Sequence, residues 1–179
     1  MGVKKILDSN QAVLLIVPST DYNKVMIDTL KELSGESICY VTLNKTYDGF
    51  VETCKKNKIK MDKIGFIDAI SKSFKKSPTD SENVYYISSP GALTELSLVI
   101  GKFLEHDFKY FVFDSITNLG IYHKQDICSK FSSSLVNKIK GKQTKAVFYA
   151  IGSRDDSLVK QVGMFVDEVV DYNKSGKKE

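Results

Sequence analysis

The sequence has one arginine, three cysteines and three prolines among 179 residues, and no apolar run approaching the ~20 residues needed to span a bilayer. Each shortage excludes something. Without a spanning run, and with an N-terminus, Met1-Gly2-Val3-Lys4-Lys5, too poor in apolar residues for a secretory leader, the chain reads as a soluble cytoplasmic protein with no membrane attachment. Of the 26 basic residues only Arg154 is an arginine, the residue that grips phosphate and guanine bidentately, which argues against sequence-specific DNA reading. Cys39, Cys54 and Cys128 lie far apart and lack the CxxC spacing of a zinc or redox centre, so they read as structural thiols and no metal site is expected. His106 and His123 have no HExxH context, Ser88-Ser89-Pro90-Gly91 is not a G-x-S-x-G elbow, and a glycine-rich dinucleotide fingerprint is absent. No catalytic residue emerges from these patterns.

What is present is ordinary for a globular protein: 42% hydrophobic and 27% charged residues, in a length suited to one domain. Residues 1–179 are expected to form that single domain, with a core over about 10–172 and short basic tails. The net charge of +4 resides in those tails, with Lys4 and Lys5 at one end and Lys174, Lys177 and Lys178 against Glu179 at the other. The body between them is neutral, except that residues 55–76 hold eight lysines against Asp62 and Asp68. A solvated lysine surface accounts for this segment better than a nucleic-acid patch does.

The apolar run Val13-Leu14-Leu15-Ile16-Val17 predicts a parallel strand covered on both faces. Pro18-Ser19-Thr20-Asp21 breaks it, and Met26, Leu30 and Leu33 then recur at helical spacing up to Gly35. The pattern repeats, with strands expected at 38–43, 63–67, 84–87, 110–113, 146–150 and 169–170, and helices near 47–56, 93–104, 127–139 and 158–165. Polar residues 71–82, interrupted by Pro78, predict an exposed loop, a further loop follows Asp114, and 175–179 is expected to fray. Alternating strands and helices of these lengths define an α/β fold, a three-layer, mainly parallel sheet with helices on both faces. Ligands of such sheets gather beyond the strands' carboxyl ends, here residues 18–24, Asn44-Lys45, Asp68, Asp114-Ser115 and 152–155.

In this order the elements resemble the RecA-like ATPases, and more closely their compact KaiC-like branch of archaea and cyanobacteria, over roughly residues 10–172. Tyr110-Phe111-Val112-Phe113-Asp114-Ser115 is similar to the family's Walker B strand, whose aspartate holds the water shell of nucleotide-bound magnesium. Ile64-Gly65-Phe66-Ile67-Asp68-Ala69 resembles the family's strand ending in Ile-Asp-Ala, and 88–104 its helix before Walker B. The resemblance implies a RecA/P-loop NTPase-like fold and association edge to edge, as a homo-oligomer or with another protein.

The same resemblance exposes what is missing. A P-loop reads G-x-x-x-x-G-K-[ST], and the corresponding frame here is Pro18-Ser19-Thr20-Asp21-Tyr22-Asn23-Lys24-Val25, in which only the lysine survives. Proline donates no N–H to a phosphate, and Val25 has no hydroxyl for magnesium. Where the KaiC-like family carries a pair of glutamates, Leu43 is followed by Asn44-Lys45, and neither side chain is a base at neutral pH. Arg154, the one candidate arginine finger, is expected instead to pair with Asp155, Asp156 or another carboxylate. The sequence therefore reads as a RecA/KaiC-like domain without ATP hydrolysis, a regulatory or assembly subunit with a protein partner and no cofactor. The alternatives are a nucleotide-binding protein whose rearranged loop brings Lys24, Asp114 and Ser115 to ATP and magnesium, and a nucleic-acid binder using 55–76.

Overall fold

The computed structural model describes residues 2–172; the segment 175–179 expected to fray, and Lys174, lie outside the described residues. Among the described residues seven strands form one sheet: β1 (Ala12–Val17), β2 (Ile38–Thr42), β3 (Ile64–Asp68), β4 (Val84–Tyr86), β5 (Tyr110–Asp114), β6 (Lys145–Ile151) and β7 (Glu168–Asp171). Their order is β4-β3-β2-β5-β6-β1-β7, and every pairing is parallel. All carboxyl ends therefore emerge along one edge. Parallel neighbours need crossovers, and seven helices provide or flank them: α1 (Val3–Ser9), α2 (Tyr22–Leu33), α3 (Tyr47–Lys56), α4 (Leu93–Phe103), α5 (Ile116–Tyr122), α6 (Gln125–Lys140) and α7 (Ser157–Gly163).

The two-residue period of the strands sorts the core into two halves. Val13, Leu15 and Val17 of β1, with Tyr40, Val112, Val147 and Tyr149, pack under α1, α2 and α3. Leu14 and Ile16, with Cys39, Val41, Phe111, Phe113 and Phe148, pack under α4 to α7. Every residue of β1, β2 and β5 is buried, which explains why those strands read as continuous apolar runs. Cys39, Cys54 and Cys128 are all free and buried. Gly65 of β3 leaves room for the rings of Phe103 and Phe108, which would lie 3.2 and 2.8 Å from an added Cβ.

Two segments differ from the sequence expectation. The N-terminal stretch expected as a basic tail is α1, which buries Val3, Ile6 and Leu7 against α2 while the backbone N–H of Lys4 donates to Glu32 Oε2 at 2.9 Å. A helix of 7 residues is unstable alone, so tertiary burial holds it. The stretch after Asp114, expected as a loop, forms α5 because Ile116 and Leu119 fall on one face and are buried. The loop expected over 71–82 is present apart from a 3-10 turn at Ser71–Ser73. Because Leu7 is 1% exposed, Leu7→Ala should lower the free energy of unfolding by about 3 kcal/mol in urea titrations. A loss near zero would restore the tail reading.

Candidate functional site

β1 ends at Val17 and α2 starts at Tyr22, so four residues make the turn between them, closed by a 3.0 Å hydrogen bond from the Asp21 N–H to the Pro18 carbonyl. A phosphate-cradling nest needs residues that alternate into left-handed conformations. Among the described residues only Lys58, Gly35 and Gly152 have such φ values, none of them in this turn. The tight turn sets the first residue of α2, Tyr22, directly above the end of β5.

Tyr22 donates its hydroxyl hydrogen bond to Asp114 Oδ2, and Tyr40, reaching from the neighbouring β2, donates to the same oxygen at 2.7 Å. Asp114 is fully buried. Burial pushes its pKa up to about 6, against the opposing pull of the two tyrosine hydroxyls and of Lys45 and Asn44. Burial, reinforced by the negative charge of Asp114, raises both tyrosines far above the ordinary phenol value, so they remain donors. The Tyr149 ring meets the Tyr22 ring in a T-shaped arrangement, with centroids 6.2 Å apart. Tyr40 in turn stacks on Phe66 and tilts against Phe50. An aromatic block thus fills the space beside the strand-end carboxylate.

Of Lys24, Asp114 and Ser115, the last two are consecutive residues and Lys24 does not join them. Lys24 points outward, with 79% of its side chain exposed, and pairs with Asp28 one helical turn on, at 3.1 Å. Ser115 is buried, and its hydroxyl donates to Asn118 Oδ1 at 2.6 Å while facing Thr117 Oγ1. Asn118 donates to the Leu43 carbonyl, and Thr117 Oγ1 accepts from the Ile151 N–H, so this group ties the ends of β2, β5 and β6 together. Asn44 and Lys45 turn back over β2, both N–H groups donating to Thr42 Oγ1. Lys45 Nζ then bridges to Asn23 Oδ1 at 3.1 Å.

The other strand-end candidates have structural roles. Asp68 accepts from the N–H groups of Tyr47, Ile70 and Ser71 and from the Ser71 hydroxyl, and thereby caps the ends of two loops. Arg154 lies toward α7, lining a small cavity with Ile16 and Val159 on the sheet face opposite the Asp114 carboxylate. Its expected ion pair is absent among the described residues, because Asp155 pairs with Lys160 and Asp156 caps the N-terminus of α7. In the lysine-rich segment, Lys75 pairs with Asp48, while Lys63 and Lys72 donate to backbone carbonyls. The tyrosine partners of Asp114 escaped the sequence reading. A signal was present, since Tyr22 stands inside the eight-residue frame 18–25 and Tyr40 is the one aromatic residue of its strand, two residues from the end.

A parallel sheet of this order, with a strand-end aspartate under the first crossover helix, has the RecA/KaiC-like fold. The KaiC-like protein of the hyperthermophilic archaeon Pyrococcus horikoshii OT3 matches it with a TM-score of 0.57 at 14% identity, over 94% of this chain and 74% of that one. Residues 4–179 match the model of DUF7090, a family of unknown function, and the chain belongs to that family. No curated protein matches. None of the helices among the described residues is long and apolar enough to cross a membrane.

Asp114 gives the fold a distinctive pH response. Its folded pKa of about 6 lies above the ordinary aspartate value, so the native state takes up a proton between about pH 4 and 6 that the unfolded chain does not. The stability this group confers is therefore full below that window and lost as pH rises through it, a difference of about 3 kcal/mol. Asp114→Asn should be more stable than the wild type in urea unfolding at pH 8, and the gap should shrink toward pH 4.5. A gap that is constant or reversed across that range would count against the assignment.

Proposed function

We propose that this chain is a KaiC/RecA-like domain that does not hydrolyse ATP and serves as a regulatory or assembly subunit through protein–protein contact. The observation that carries the reading is the Tyr22 hydroxyl on Asp114: the chain supplies its own donors to a carboxylate that a nucleotide-bound magnesium would otherwise engage through water. A magnesium nucleotide does not fit the residues present. The turn offers no left-handed residue to curl N–H groups around a phosphate, Lys24 faces solvent, and Ser115 is committed to Asn118. Water activation lacks a base as well, because Asn44 does not titrate and Lys45 bridges to α2.

With those groups committed to packing, the exposed surface is what remains for function. A partner protein, either another copy or a different chain, is the ligand this reading implies, and neither a cofactor nor a nucleic acid is part of it. Isothermal titration of the protein with ATP and magnesium should give no saturable heat up to millimolar nucleotide, and no phosphate should be released. Micromolar affinity accompanied by steady phosphate release would overturn the reading.

A further inference from the structure

On the sheet face opposite the Asp114 carboxylate, an open groove of about 760 Å3 runs beside α4. Leu93, Leu98 and Val99 of α4, Tyr85 of β4 and Ile127 of α6 give it apolar walls. Leu98 is 65% exposed and Ile127 43%, although α4 sends Leu96 and Ile100 fully into the core. Apolar side chains exposed together beside a polar rim mark an interaction surface.

The charges along this stripe indicate what it meets. Glu95, Leu98 and Lys102 all line the groove, and their spacing of three and four residues keeps them on one helix face. The two charges have opposite sign and stand at equal distances from the midpoint between Leu98 and Val99. The stripe is therefore complementary to itself. A two-fold axis through that midpoint runs two copies of α4 antiparallel, with Glu95 of each copy against Lys102 of the other and the apolar residues between them. Lys102 is free for this role, since among the described residues no carboxylate lies within ion-pairing distance of it. Glu95 is held by Ser88, whose N–H and hydroxyl both donate to Oε2, which fixes the carboxylate at the groove's rim.

We propose that a second copy of this chain fills the groove, in a two-fold dimer whose α4 helices pack antiparallel with Leu98 of each copy seated in the groove of the other. The proposal rests on the assembly reading given above and names its partner and surface. A symmetric α4 pair is closed, so it yields a dimer and no further growth.

Sedimentation equilibrium of the purified protein over ~1–100 µM tests it, with a dimer expected in that range. Leu98→Asp should raise the dissociation constant about tenfold or more. Glu95→Lys and Lys102→Glu should each weaken the dimer at low salt by opposing like charges. An equimolar mixture of those two variants should re-form a dimer, because each then offers the other the missing sign, and the Glu95→Lys/Lys102→Glu double variant should dimerise by itself. Circular dichroism melts show whether each variant is folded, and Lys102→Glu leaves the Ser88 contact intact. A wild type that is monomeric at the top of the range overturns the proposal. So does a dimer indifferent to Leu98→Asp, or a mixture that associates no better than its components. A monomer that ignores nucleotide overturns this pairing alone, whereas a dimer that hydrolyses ATP overturns the loss of hydrolysis alone.

Discussion

Asp114 is a carboxylate with no exposure to water, and such a group persists only if donors replace its hydration. Here the donors are two phenols from different elements, Tyr22 at the start of α2 and Tyr40 on β2, both on Oδ2, while Oδ1 has no hydrogen-bond partner among the described residues. Both contacts constrain the fold. Tyr22 can reach the carboxylate only if α2 begins almost at the end of β1, which is what the four-residue turn with its Pro18 carbonyl allows. Tyr40 can reach it only because β2 and β5 are neighbours in the register that sets Tyr40 beside Val112, one pleat from Asp114. The length of the first turn and the position of the carboxylate therefore depend on each other.

This dependence couples the conformation of residues 18–21 to the site. A longer, glycine-bearing loop would lift the start of α2 and withdraw Tyr22, leaving the buried carboxylate with the Tyr40 hydroxyl alone, a loss of about 1–3 kcal/mol. Proline at position 18 and an aromatic residue at position 22 suit one another for the same reason. The aromatic block extends the effect outward. Phe50 and Phe66 pack against Tyr40 with centroids 4.6 and 5.4 Å away, so the residues that fill the crevice are also core residues of the α1–α3 layer. Opening the crevice means disrupting that layer.

Much of the fold was legible because its signals are local and strong. β1, β2 and β5 announce themselves as unbroken apolar runs, and α2 and α3 show helical periodicity between recognisable turn residues. α1 was missed because Lys4 and Lys5 hide a short apolar stripe, Val3, Ile6 and Leu7, that has meaning only once α2 is there to cover it. α5 was missed because its stripe is only Ile116 and Leu119. Of the site, the Asp114 position followed from strand order, but its tyrosine partners did not. Their 92- and 74-residue separations from Asp114 mean that only the sheet order and the tightness of one turn bring them together. Ser115 and Asp68 posed the converse difficulty: a polar residue at a strand end looks available until its N–H and hydroxyl partners are located.

The two faces of the sheet have consequently diverged. In the α1–α3 layer Tyr22 and Tyr40 engage Asp114 Oδ2, while Asp114 Oδ1 and the Tyr149 hydroxyl are buried without a hydrogen-bond partner among the described residues. In the α4–α7 layer the polar groups at the sheet edge serve as caps and ties, yet α4 leaves Leu98 exposed between two opposite charges. A lone exposed leucine needs no explanation. Leu98 stands instead on a helix whose core side is filled by Leu96, Val99 and Ile100, beside an apolar groove. In the proposed pairing it meets a second copy, and the placement of Glu95 and Lys102 about the midpoint supplies the complementary signs.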